Sequence, residues 1–185
     1  MRAFVALDLD PHVQDALDAA VAAASGWSPA FRAVARANRH LTLAFLGDIA
    51  AAAPVIAALR AVRHPPFELR LQGLGRFPPK RDARVLWAGV GGDVALLESL
   101  ARAVSASAQG AGAARDRMPF RPHITLARAR RHGGAAADPS LAVALEPASW
   151  SVRHFTLYQS TLARSGPRYD RLATFPLDEP PRGHA

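Results

Sequence analysis

Two imidazoles and two hydroxyls recur in this sequence in a single frame, His-x-Thr. It appears as His40-Leu41-Thr42-Leu43-Ala44 and again, 83 positions on, as His123-Ile124-Thr125-Leu126-Ala127. Successive side chains of a β-strand point to opposite faces, so His40 shares a face with Thr42 and His123 with Thr125. Leu41, Leu43, Ile124 and Leu126 then form the apolar faces that anchor each strand. Two imidazoles titrating near neutrality can divide proton donation from proton abstraction, and two hydroxyls can donate hydrogen bonds to an anion held between them. The chemistry expected of such a set is acid–base work on a phosphate.

The elements that must position these residues follow from pattern. Residues 3–9 alternate as a strand, and Asp10-Pro11 offers an N-cap and a first-turn proline before Val13, Leu17 and Val21 at helical spacing. The stretch up to Arg39 is poorly periodic, with a break at Ser25-Gly26-Trp27-Ser28-Pro29. The first His-x-Thr strand is expected at 40–46, closed by Gly47-Asp48, and a helix at 51–62. A strand at 67–72, a polar loop over 76–82 and a strand at 85–90 read as a hairpin. Val94, Leu97, Ala101, Val104 and Ala108 lie on one helical stripe that Gly110 to Gly112 ends. After the second His-x-Thr strand come a basic loop at 128–134, a short helix at 139–145, and strands at 150–162 and 168–176. Strands and helices interleave twice, each half delivering one motif. The expected fold class is α+β, a single bilobal domain over 1–185. Its two pseudo-symmetric lobes are each an antiparallel sheet with helices on the outer face, and the active-site cleft runs between them.

Composition bounds the partners. The 185 residues are 50% hydrophobic, enough to bury a core unaided, and contain no cysteine, which excludes disulfides, thiolate catalysis and cysteine-ligated zinc. No apolar run approaches a membrane span, and the start reaches Asp8 too early for a signal peptide, so a cytoplasmic protein without membrane partners is expected. A net charge of +8 favours polyanions such as RNA, although Lys80 is the only lysine and arginine-rich coding bias gives the same total.

Arg39-His40-Leu41-Thr42-Leu43-Ala44-Phe45-Leu46-Gly47 and Phe120-Arg121-Pro122-His123-Ile124-Thr125-Leu126-Ala127-Arg128 resemble the two motifs of the two-histidine (2H) phosphoesterases. Within them the chain is similar to the RNA 2′,3′-cyclic phosphodiesterases first described as 2′-5′ RNA ligases. Arg2-Ala3-Phe4-Val5-Ala6-Leu7, Gly75-Arg76-Phe77-Pro78 ahead of Val85-Leu86-Trp87, and Leu157-Tyr158-Gln159-Ser160-Thr161-Leu162 add to the resemblance, in the family's order. The run-up Val34-Ala35-Arg36-Ala37-Asn38-Arg39 departs from the family's Pro-Glu-Asn-Leu-like turn.

The resemblance implies that His40 protonates the leaving 3′ oxygen and His123 activates water, giving a 2′-phosphomonoester from an RNA 2′,3′-cyclic phosphate end. Reversible 2′-5′ ligation is a further implied activity. Thr42 and Thr125 are expected to bind the phosphate. Arg128 is assigned to it as well, although strict alternation aims Arg128 away from His123 and a bulge or strand end is needed to turn it back. Phe45, Tyr158 and Ser160 are the expected substrate-binding residues, the two rings by stacking on a base. No metal and no other cofactor is expected, because the motifs bring no carboxylate to the histidine face and show no His-x-x-x-His spacing. A monomer is expected. His12, His64, His132, His154 and His184 read as unpaired and solvated. Two other functions stay open: action on another cyclic phosphate such as that of ADP-ribose 1″,2″-cyclic phosphate, and non-catalytic binding of RNA ends.

Overall fold

The computed structural model describes residues 1–24, 27, 30–79, 82–114, 118–130, 142–163 and 166–178. Its strands are β1 (Arg2–Leu7), β2 (Phe31–Ala33), β3 (Leu41–Asp48), β4 (Phe67–Phe77), β5 (Val85–Gly92), β6 (His123–Ala129), β7 (Ser149–Val152), β8 (His154–Ala163) and β9 (Gly166–Pro176). The helices are α1 (Pro11–Ala23), α2 (Ala52–Leu59) and α3 (Val94–Gly110). All strands join one antiparallel sheet in the order β7-β4-β5-β6-β3-β1-β8-β9, with β2 paired to the free stretch of β6.

The two halves meet at β3 and β6, which pair at a single position, Leu41 with Ile124. Reading outward from that seam, β3, β1, β8 and β9 answer to β6, β5, β4 and β7. Each half runs strand, helix, His-x-Thr strand: β1–α1–β3 and β5–α3–β6. The expected lobes are present, and the seam makes their sheets continuous.

Alternation along the motif strands decides the layering. Leu41, Ile124 and Leu126 are fully buried and Leu43 nearly so, and they face a single core cluster with Val13 and Leu17 of α1 and Leu97, Leu100 and Val104 of α3. Burying each such side chain stabilises the fold by about 1.5–3 kcal/mol, which fixes the register and leaves the polar face outward. Pro11 opens α1 as its spacing predicts, although the Asp10 carboxylate makes no cap bond. Among the described residues no helix is long and apolar enough to cross a membrane.

Several expectations are corrected. The aperiodic stretch before His40 contains β2, a three-residue strand formed because the β6 edge offers it partners. The strand expected at 150–162 is two strands: Arg153 interrupts it, and the chain passes from β7, on β4, to β8, on β1. Of the helix expected at 139–145, residues 142–145 are irregular and the remainder lies outside the described residues. Arg128 and Ala129, expected in a loop, extend β6, while 131–134 lie outside the described residues.

Candidate active site

Each motif strand carries a bulge three residues after its histidine. In β3, Ala6 pairs with Thr42 but Val5 with Ala44, so Leu43 is the extra residue; in β6, Trp87 pairs with Thr125 but Leu86 with Ala127, so Leu126 is extra. An extra residue reverses the alternation beyond it. Leu43 and Ala44 are therefore both buried, as are Leu126 and Ala127, and Phe45 and Arg128 emerge on the face of the histidines. The condition that the sequence set for Arg128 is met by a bulge, and the same device delivers Phe45.

The histidines are held alike. His40 Nδ1 donates to the Asn38 carbonyl at 2.8 Å and His123 Nδ1 to the Arg121 carbonyl at 2.6 Å, in each case two residues back. A carbonyl only accepts, so Nδ1 carries the proton in the neutral ring and Nε2 keeps its lone pair. Aromatic rings wall each imidazole. Phe4 and Tyr169 lie 4.8 and 5.3 Å from the His40 ring, Phe77 and Trp87 5.0 and 6.3 Å from that of His123. Gly75 makes room for Trp87: a Cβ there would lie 2.1 Å from Trp87 Cζ2, so only glycine lets the indole lie across β4 beside His123.

His40, Thr42, Phe45, His123, Thr125 and Arg128 line one cavity of about 780 Å³. Ser160 and Tyr169 line it too, together with Arg2, Arg32 and Arg130, and no aspartate or glutamate is among the described residues that line it. The guanidinium groups of Arg2, Arg128 and Arg130 among its described lining make the cavity attractive to anions. Burial pushes the His40 pKa down to about 4; the Asn38 carbonyl and Asp8 oppose the shift, while Arg128 and His123 add to it. Burial also lowers that of His123, with Arg128 adding to it and the bond to the Arg121 carbonyl opposing. Burial thus favours the neutral form of both rings, and an anion bound between them favours the charged form.

Tyr158 does not line this cavity. Its ring stacks on Phe4 at 5.3 Å and its hydroxyl bonds the Asp8 carboxylate, which also receives bonds from Thr156 at 3.0 Å and Arg171 at 3.2 Å. Burial, then the bond to Asp8, pushes the Tyr158 pKa up to about 12. The sheet places Tyr158 behind Phe4, one layer from His40, because β8 lies beyond β1. Phe4, Tyr169, Arg2 and Arg32 line the cavity although the sequence assigns none of them to the site. Tyr169 sits in the last hairpin opposite Ser160, so the pairing of β8 with β9 is the signal that finds it.

The remaining described histidines differ from expectation. His64 is 7% exposed and its Nδ1 bonds the Pro65 carbonyl; His12 Nε2 bonds the Ser149 carbonyl; His154 Nε2 lies 3.4 Å from Asp8. His132 and His184 lie outside the described residues. Among the described residues no three histidine or carboxylate side chains gather as a metal site.

The chain is similar to known proteins in sequence and in fold. The family profile of the 2′-5′ RNA ligase superfamily matches residues 10–164. An RNA 2′,3′-cyclic phosphodiesterase of Geobacillus stearothermophilus is 37% identical over 97% of this chain, which spans 58% of that protein's length. A protein of the same name from Archaeoglobus fulgidus is 34% identical, over 95% of this chain and 99% of its own. The crystal structure of Escherichia coli LigT complexed with 3′-AMP superposes with a TM-score of 0.75 at 32% identity, over 96% of this chain and 98% of that one. With most of its length matched by the family profile and by relatives this similar, the chain belongs to the 2′-5′ RNA ligase superfamily.

Proposed function

We propose that this chain hydrolyses the 2′,3′-cyclic phosphate ends of RNA to 2′-phosphomonoesters without a metal ion. The observation that carries the reading is the matched pair of histidines, each with Nδ1 tied to a carbonyl, at one arginine-lined cavity. The names of the Geobacillus and Archaeoglobus relatives support the substrate.

In this reading His123 Nε2 takes a proton from water, whose oxygen attacks phosphorus. The bond from phosphorus to the 3′ oxygen breaks, and protonated His40 gives its Nε2 proton to that oxygen. The incoming phosphate supplies the charge that brings His40 to its protonated form against burial and Arg128. Thr42 and Thr125 donate hydroxyl hydrogen bonds to the non-bridging oxygens, and Arg128 offsets their growing charge. Phe45 and Ser160 contact the nucleoside. Tyr158, which the sequence also placed on substrate, acts instead by backing Phe4. Both histidines come from one chain, so a monomer suffices, and the compartment is the cytoplasm, where RNA ends are exposed.

The test is to incubate the protein, after exhaustive EDTA treatment, with an oligonucleotide ending in a 2′,3′-cyclic phosphate and to identify the product isomer. A 2′-phosphate is expected at an undiminished rate. Binding without turnover, a 3′-phosphate product, or activity that EDTA abolishes and a divalent ion restores would refute it.

A further inference from the structure

Beside the cavity lies a second, of about 620 Å³, which shares Thr42, Phe45 and His123 with it but is lined by none of His40, Thr125 and Arg128. It opens where the pseudo-two-fold symmetry fails. The segment leading into His40 is laid along β6, through β2 and through the Val34 amide, which bonds the Leu126 carbonyl at 2.8 Å. Among the described residues, the segment leading into His123 bonds β3 only through the Ala114 amide, 3.3 Å from the Leu46 carbonyl. Nearer the seam, Met118, Pro119, Phe120 and Arg121 stand off from β3 and become a wall.

The chemistry of this wall selects the occupant. Phe45 and Met118 are 54% and 76% exposed, large apolar surfaces facing water beside Phe77 and Phe120. Arg84, Arg102 and Arg121 stand among them, and no carboxylate is among the described residues that line the cavity. Flat apolar surfaces ringed by guanidinium groups fit a base and its phosphate better than an apolar peptide.

Position relative to the reaction then decides which nucleoside enters, an argument that rests on the roles given to His40 and His123 above. The ribose of a cyclic phosphate is attached through its leaving oxygen and so belongs on the His40 side. The nucleophile arrives in line from the other side, at His123. Of the two histidines the second cavity touches His123 alone. We infer that this cavity is the subsite for the 5′-terminal nucleoside of an acceptor strand, whose 5′-hydroxyl attacks in place of water. The 5′ oxygen bonds to phosphorus, the bond to the 3′ oxygen breaks, the hydroxyl proton passes to His123 and His40 protonates the 3′ oxygen. The product is a 2′-5′ phosphodiester beside a free 3′-hydroxyl.

The experiment compares wild type with Arg102→Glu and Met118→Asp on three substrates: a nucleoside 2′,3′-cyclic monophosphate, an oligonucleotide ending in a cyclic phosphate, and that oligonucleotide with a 5′-hydroxyl strand. Both residues are exposed, and mononucleotide hydrolysis is expected to stay within about twofold of wild type, which also reports folding. Joining is expected to show a KM for the 5′-hydroxyl strand raised on the order of tenfold or more, the worth of one base stack. Unchanged joining kinetics, or mononucleotide hydrolysis falling in step with joining, overturns the inference. So does loss confined to oligonucleotide hydrolysis, which would place the donor strand in this cavity. Wild-type protein that hydrolyses but neither joins the strand nor is inhibited by it overturns the subsite while the proposed function stands. Wild-type protein that hydrolyses nothing overturns both.

Discussion

Phe45 and Arg128 stand five residues after His40 and His123, and each is turned onto its histidine's face by a bulge at the same step of the strand. The two halves thus share not only the motif but the irregularity that completes it. What differs is the cargo. One strand delivers a ring and the other a cation, so the acid–base pair is symmetric while the recognition around it is not.

Arg128→Ala removes the guanidinium from the cavity and is expected to lower kcat/KM on the order of 10- to 100-fold, the usual worth of a charge-assisted contact to an oxyanion. Burial holds both imidazoles below their ordinary pKa, and Arg128 adds to the shift. Its loss is therefore expected to move the acidic limb of the pH–rate profile to higher pH. A profile that keeps its shape while the rate falls would mean that the guanidinium lies too far from the rings to matter.

His40→Ala and His123→Ala are each expected to lower kcat by about 10² to 10⁴, the range of general acid or base catalysis. Because acid and base act in one step, the double variant is expected to be little worse than either alone. Single-turnover kinetics with circular dichroism to verify folding tests this. Near wild-type turnover in either variant would remove that histidine from the mechanism.

Much of this site was legible because a strand's period of two carries its own facing rule. His40 and Thr42, and His123 and Thr125, needed only that rule. Phe45 and Arg128 did not obey it, since a bulge is set by pairing with β1 and β5, far away in sequence, and leaves no local mark. Phe31, Arg32 and Ala33 have too short a run to show a period, and form a strand because the edge of β6 away from β5 is not taken up by β3 there. The break at Arg153 is likewise a matter of which sheet edge each side of it reaches. Tyr158 resembled a pocket residue by its neighbours in sequence, yet the position of β8 outside β1 puts Phe4 in front of it.

The pH dependence follows from both rings being held below their ordinary pKa in the free protein, His40 at about 4. The profile of kcat/KM, which reports the free enzyme, is expected to be a bell whose optimum lies on the acid side of pH ~6.5. That of kcat, which reports the complex, is expected at higher pH, because bound phosphate favours the charged imidazoles. The limbs belong to the coupled pair and not to single residues. Coincident profiles centred above pH 7 would contradict the electrostatics of the cavity.

The same shifts make stability depend on pH. For an imidazole whose folded pKa is depressed, the unfolded chain binds protons first as pH falls, so the contribution is intact above pH ~6.5 and is lost between there and the folded value of about 4 for His40. Tm is expected to fall over that window. Less fall is expected for His40→Gln, whose side chain does not titrate, and inorganic phosphate is expected to restore part of the loss. Equal pH sensitivity in wild type and His40→Gln would assign the effect to other groups.

Two tyrosines one layer apart separate contact from support. Tyr169 lines the cavity and lies edge-on to His40, so Tyr169→Ala is expected to raise KM and lower kcat together. Tyr158 touches Phe4 and gives its hydroxyl to Asp8, outside the cavity. Tyr158→Phe keeps the ring against Phe4 and removes that bond together with the long one, 3.5 Å, that Arg171 donates to the hydroxyl. The Asp8 carboxylate retains Thr156 and Arg171, so the expected cost is about 1 kcal/mol of stability, the net worth of one hydrogen bond. KM is expected to stay at the wild-type value. A KM that rises in Tyr158→Phe without loss of Tm would place the Tyr158 hydroxyl on the substrate, as its place in the sequence had implied, and would require β8 to turn toward the cavity when RNA binds.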